Sequence, residues 1–190
     1  MPDSRQPDSL SDEQLVELCN RGDGDEATAA FGVLYKRHRD FVLRVALRLT
    51  DDREIVADAL HDVFAYLLKQ FPPPGAGLTL TARLTTYLYP IAKNSTLSLL
   101  RKSKRLAPAD IEPDALAAIE VDTSGDDIDR LLASLPLERR EVLQLRFVDG
   151  MSLEEISRAL EIPIGTIKSR LHKAIAVLRE DPATKKFFEA

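Results

Sequence analysis

Tryptophan is absent from the chain's 190 residues, cysteine occurs once, at Cys19, and aromatics make up only 6%. A single cysteine excludes an internal disulfide and a cysteine-based zinc site. Cys19 could be a redox thiol, but an isolated cysteine better suits a small buried hydrophobe. With so few rings, the cores must be built mainly from Leu, Ile, Val and Ala, and a hydrophobic content of 44% supplies them. No run approaches the roughly 18 apolar residues of a membrane span, and the first residues lack the apolar stretch of a signal peptide. These absences predict a cytoplasmic protein without direct membrane insertion. Gly-rich phosphate loops, nucleophile–base patterns and metal clusters are missing too. The expectation is a protein that binds and does not catalyse, with no catalytic residue, metal, cofactor or small-molecule substrate.

Positive charge is outnumbered by negative, 26 Lys/Arg against 31 Asp/Glu, but it is concentrated. The net charge of −5 argues against a protein that coats nucleic acid indiscriminately. Yet residues 81–105 hold six Lys/Arg and no acid, and residues 163–179 hold four and no acid. Between them, residues 106–129 hold eight Asp/Glu and no base. Two basic segments on either side of an acidic spacer predict a two-point DNA binder with a repelled linker.

Residues 135–180 organise the chain. Pro136 and Gly150 bracket an amphipathic run, where a start proline and a stop glycine belong. Ser152 and Glu155 form an S-x-x-E capping box that opens a short helix with Leu153, Ile156 and Leu160 on one face. Glu161 and Ile162 make a turn, and Pro163 is expected at the first position of a last helix. At about 100° per residue, Ile164, Ile167, Leu171, Ala174, Ile175 and Leu178 share its apolar side. Thr166, Ser169, Arg170 and Lys173 lie opposite, flanked by Lys168 and His172. A packed face backed by a small, polar, basic face suits a helix in the DNA major groove. Arg170 is the candidate for a bidentate guanine contact; Lys168 and Lys173 suit phosphates.

LPLERREVLQLRFVDGMSLEEISRALEIPIGTIKSRLHKA resembles region 4 of bacterial RNA polymerase sigma factors of the extracytoplasmic-function (ECF) group. Residues 162–171, with Leu135-Pro136 and Leu145-Arg146, carry the likeness. Glu161 stands where that family usually has glycine. The resemblance implies recognition of a promoter −35 element by Thr166, Lys168, Ser169, Arg170, His172 and Lys173.

Earlier in the chain, residues 1–10 are polar and without period, and disorder is expected. Ser11 and Gln14 cap a short helix that Gly22 and Gly24 end. Residues 26–49 form a long helix, with Phe31, Leu34, Phe41, Val45 and Leu49 recurring and His38 near the stripe. Thr50-Asp51-Asp52 turns the chain and caps a helix over 53–70, whose core side is Ile55, Ala59, Val63, Tyr66 and Leu67. Asp58, His61 and Asp62 lie largely elsewhere, which suits solvation or partner contact and not a metal site. DALHDVFAYL resembles the family's polymerase-binding helix in region 2. That implies contact of Asp58, Leu60, Asp62, Val63 and Phe64 with core RNA polymerase.

Three prolines and two glycines in residues 71–78 allow neither helix nor sheet. TYLYPIAKNSTLSLLRKSKR resembles the promoter-melting part of region 2, which implies a −10 element role for Arg83, Tyr87, Tyr89, Lys93, Asn94 and Arg101. Aromatics stack on unpaired bases and Lys/Arg track phosphates, although Tyr87 and Tyr89 could equally be core residues. Pro90 removes a donor and should kink or delay the helix.

The predicted fold is all-α. It has a disordered start at 1–10, a region 2-like domain over 11–105 and a flexible acidic linker at 106–125. A region 4-like helix-turn-helix domain over 126–183 and a tail at 184–190 follow. The resemblance implies a sigma factor whose partners are core RNA polymerase, promoter DNA and an anti-sigma factor. The competing reading is a helix-turn-helix repressor or activator that binds duplex DNA as a dimer without polymerase; a scaffold using both domains for protein contacts is a third.

Overall fold

In a computed structural model, residues 7–22, 24–72, 74–106, 132 and 134–181 are described. Among them seven α-helices and one 3-10 turn form, and no strand. The chain divides into two compact units, one within residues 1–111 and one within 112–190. The expected linker lies almost wholly outside the described residues, as does the expected tail.

The first unit holds α1 (Asp12–Asn20), α2 (Asp25–Leu47), α3 (Arg53–Leu68) and α4 (Leu84–Leu106). Helix α1 starts on the expected capping box: Ser11 N–H donates to Gln14 Oε1 at 2.9 Å, and Gln14 N–H donates to Ser11 Oγ at 3.3 Å. It buries Leu15, Val16 and Cys19. Asp12 anchors it to α2 through His38 Nε2 at 2.7 Å and Arg37 Nη1 at 3.0 Å. The hydrogen bond from His38 holds the Asp12 carboxyl below its usual range. Residues 7–9 are not disordered as expected. They form a 3-10 turn whose Asp8 carbonyl accepts from Arg37 Nη2 at 2.7 Å. That contact comes from 29 residues away, so local composition could not reveal it.

Cys19 is buried, its thiol donating to the Ala27 carbonyl at 3.7 Å. Burial pushes the thiol up to about 11 from an ordinary 9.0. Its thiolate fraction at neutral pH should therefore fall about a hundredfold below that of a free cysteine. Iodoacetamide at pH 7.5 should label Cys19 rapidly only after denaturation. Equal labelling rates in native and unfolded protein would place the thiol at the surface.

Helix α3 is capped by Asp52, which accepts from Glu54 N–H at 2.9 Å and Ile55 N–H at 3.2 Å. It buries Ile55, Val56, Ala59, Val63, Phe64 and Leu67. Tyr66, expected in the core, is 47% exposed. The reason is an aromatic cluster on the other flank of the stripe. Tyr35 meets Phe64 edge-on with ring centroids 4.7 Å apart, and Phe31 meets Phe64 at 6.4 Å and Phe71 at 6.3 Å. These rings draw Phe64 inward and leave Tyr66 outside.

Residues 71–72 and 74–78 are irregular, as expected. The Asn20 side chain clamps this segment, donating to the Leu78 carbonyl and accepting from the Leu78 N–H, both at 2.8 Å. A Cβ on Gly75 would lie 2.1 Å from the Gln70 carbonyl oxygen, so only glycine fits there. Pro90 does not delay α4. The helix begins six residues upstream and runs on through the proline, which forfeits only the bond to the Thr86 carbonyl.

The second unit holds α5 (Leu137–Phe147), α6 (Leu153–Leu160) and α7 (Ile164–Glu180). Its core includes the fully buried Val142, Leu145, Met151, Ile156 and Ile167 and a cluster of Leu135, Leu143 and Ala174, with Leu132 and Leu178 packed against it. The capping box of α6 is complete: Ser152 N–H donates to Glu155 Oε2 at 2.8 Å, and Glu155 N–H to Ser152 Oγ at 3.1 Å. Glu161 takes the left-handed conformation that glycine usually serves, with φ 56° and ψ 36°. The Ser157 hydroxyl supports this turn by donating to the Ile162 carbonyl at 2.6 Å. Pro163 precedes the helix instead of occupying its first position. Its ψ of 142° is extended, and its carbonyl accepts from Thr166 and Ile167.

Candidate nucleic-acid interface

Ile167 and Ala174 seat α7 on its unit, which turns the opposite face outward. Lys168, Ser169, His172 and Lys173 are exposed, and Thr166 and Arg170 are half-buried. The structure thus gathers the six residues expected at the −35 element on the side of α7 that does not pack. Thr166, Ser169, Arg170 and Lys173 line a cavity of about 440 Å³ together with Pro136, Glu138, Arg139 and Gly165. Arg170 Nη2 pairs with Glu138 Oε2 at 2.6 Å. Glu138 and Arg139 belong to the first turn of α5 and were missed from sequence. Helical period relates residues within one helix and is silent about a neighbour some thirty positions upstream.

In the first unit, Asp58 and Asp62 are exposed on α3 and Leu60 is half-buried. Asp62 accepts from Ser95 Oγ of α4 at 3.2 Å. Val63 and Phe64, expected to face core polymerase, are instead buried, at 0% and 5% exposure. Val63 lies on the core stripe of α3 with Ala59 and Leu67, and Phe64 packs against the Phe31 and Tyr35 rings. The exposed apolar groups nearby are Tyr66 and Leu68, and Tyr66 follows Asp58 and Asp62 at four-residue spacing.

The six expected −10 residues do not share one face. Tyr87, Asn94 and Arg101 recur at seven-residue spacing along α4; Tyr87 is half-buried and the other two are exposed. Arg83 is exposed just ahead of the helix. Tyr89 is 4% exposed, so it is a core aromatic and not a stacking surface. At about 100° per residue it stands about 200° from Tyr87. Lys93, one turn beyond Tyr89, is half-buried. Burial pushes the Tyr87 phenol up to about 12, and the neighbouring Tyr66 hydroxyl adds to the rise. Tyr87 therefore stays neutral and presents one side only.

Among the described residues, no group of three or more His, Cys, Asp or Glu is placed to hold a metal ion. No helix among them is long and apolar enough to cross a membrane. The all-helical units, the capped helix-turn-helix and the acid-free outer face of α7 define a DNA-binding protein of the helix-turn-helix class.

Comparison with known proteins narrows the class. Residues 34–106 match Sigma-70 region 2, and residues 125–178 match Sigma-70, region 4. The chain is 24% identical over 185 residues to the ECF RNA polymerase sigma factor SigW of Bacillus subtilis, covering 87% of this chain and 93% of that one. It is 28% identical over 188 residues to the ECF RNA polymerase sigma-E factor of Escherichia coli, covering 88% and 92%. The sigma factor RpoE from Bartonella quintana, solved in complex with the anti-sigma factor NepR, shares the fold. That likeness has a TM-score of 0.52 at 22% identity, over 75% of this chain and 89% of that one. The chain belongs to the sigma-70 family of RNA polymerase sigma factors, in its ECF group. A repressor acting without polymerase would have no use for region 2, so that alternative falls.

Proposed function

We propose that this ECF sigma factor directs core RNA polymerase to its promoters through two helical faces. The second unit, in the 126–183 segment, recognises the −35 element with the outer face of α7. The first unit, within residues 11–105, docks on core polymerase through Asp58, Asp62 and Leu60. It engages the −10 element with Arg83, Tyr87, Asn94 and Arg101, and with Lys93 at the margin. The 106–125 segment serves as the tether. The observation that carries this reading is the division of α7: Ile167 and Ala174 are buried, while Lys168, Ser169, His172 and Lys173 are exposed with no acid on the helix before Glu180. Short polar side chains read base edges, and cations neutralise phosphates.

The factor works by differential binding and has no catalytic group of its own. It acts in the cytoplasm, where polymerase and promoters are. When idle it is covered by an anti-sigma protein, as the relative from Bartonella quintana is in its complex with NepR.

In-vitro transcription with purified core polymerase tests the reading. The wild-type chain should yield promoter-dependent transcripts. Asp58→Arg combined with Asp62→Arg should weaken core binding roughly tenfold, about 1.4 kcal/mol, and leave the helical circular-dichroism signal unchanged. Unchanged affinity in that double variant would remove the acidic face of α3 from the interface.

A further inference from the structure

Arg170 is half-buried although it lies on the outer face of α7, and it pairs there with Glu138. The two are joined through one guanidinium nitrogen, Nη2, at 2.6 Å. The Arg170 side chain is 24% exposed and that of Glu138 68%. Glu138 comes from the first turn of α5 and is the sole acid among the residues lining the cavity beside α7. The ion pair restrains a long, flexible guanidinium. Nη2 carries two hydrogens, so pairing one with Glu138 leaves the other, beside Nε–H or Nη1–H, as a two-donor fork for a planar acceptor pair.

We propose that Glu138 is a positioning residue for base readout: its carboxylate fixes the Arg170 guanidinium so that the remaining donors meet a guanine edge in the −35 element. This rests on the major-groove reading of α7 given above. A held guanidinium loses less rotamer freedom on binding a base than a free one. It is also less able to swing onto the phosphate backbone, where it would bind every sequence alike. Removing the carboxylate should thus move specific and non-specific binding in opposite directions. Loss of one negative charge favours DNA in general, while loss of the brace weakens the one base contact.

The full chain, assembled with core RNA polymerase, should be titrated against promoters in which each −35 base pair is changed in turn. Arg170→Ala should abolish discrimination at one base pair. Glu138→Gln should reduce discrimination at that same base pair by up to about fivefold, the upper end for a surface ion pair, and raise affinity for DNA lacking a promoter. Glu138→Asp, a shorter carboxylate, should retain part of the discrimination. In an Arg170→Ala background, Glu138→Gln should change discrimination no further. If Glu138→Gln strengthens all duplexes by one factor and leaves discrimination intact, Glu138 is only a repelling charge and the proposal fails. If Arg170→Ala itself leaves discrimination unchanged at every position, the major-groove reading of Arg170 fails first.

Discussion

Phe64→Ala should unfold the first unit at temperatures the wild-type chain survives, and not merely loosen a partner's grip. Phe64 is 5% exposed and held edge-on by Tyr35 and Phe31. Emptying such a site costs about 3–5 kcal/mol, a large share of the roughly 5–15 kcal/mol that holds a domain together. The melting temperature of the unit should fall by about 15 °C or more, at about 4–8 °C per kcal/mol for a domain of this size. Asp62→Arg, on the exposed side of the same helix, should leave it within a few degrees. Thermal unfolding followed by circular dichroism gives both values. A Phe64→Ala protein that melts with the wild type would mean the ring is not packed. Loss of polymerase binding on truncating Phe64 would therefore report instability and not contact.

Arg170→Ala should change which promoters are used more than how many are. A bidentate guanine contact is worth about 1–3 kcal/mol of discrimination, so preference at one −35 position should fall by about five- to a hundredfold. Lys173→Ala should act differently. Lys173 is exposed at the rim of the same cavity and suits a phosphate. Its loss should weaken all promoters alike and lower the slope of log affinity against log salt by about one. Transcription from a panel of −35 variants, repeated at several salt concentrations, separates the two roles. A uniform loss across the panel for Arg170→Ala would make Arg170 a backbone contact.

Most of the fold was legible where one helix's own residues decide it. Both capping boxes, the Asp52 cap and the break over 71–78 follow from side chains acting on nearby backbone, and all are present. The basic outer face of α7 was legible for the same reason: helical period sets it. What failed depended on partners far along the chain. The stripe on α3, Val63 included, was readable, but its flank is set by Phe31 and Tyr35, which hold Phe64 inside, while Tyr66 stays out. Tyr89 likewise follows the packing side of α4, with Leu88 and Ala92. Arg37 reaching Asp8, and Glu138 reaching Arg170, are tertiary contacts with no local signature. Pro163 was misplaced by one position, the usual uncertainty at a helix boundary.

The clamp of Asn20 on Leu78 has a consequence for how the chain acquires its shape. It joins the Asn20 side chain to backbone 58 residues away, so it can close only after α1, α2 and α3 have been drawn together. The helices of the second unit lie close in sequence and are joined by short turns. Loop closure over long separations is slow, and local contacts form fast. The second unit should therefore reach its native state sooner than the first, which leaves the ribosome earlier. The order of folding can be checked by pulse-labelling hydrogen exchange, in which the amides of α5–α7 should gain protection before the Leu78 N–H.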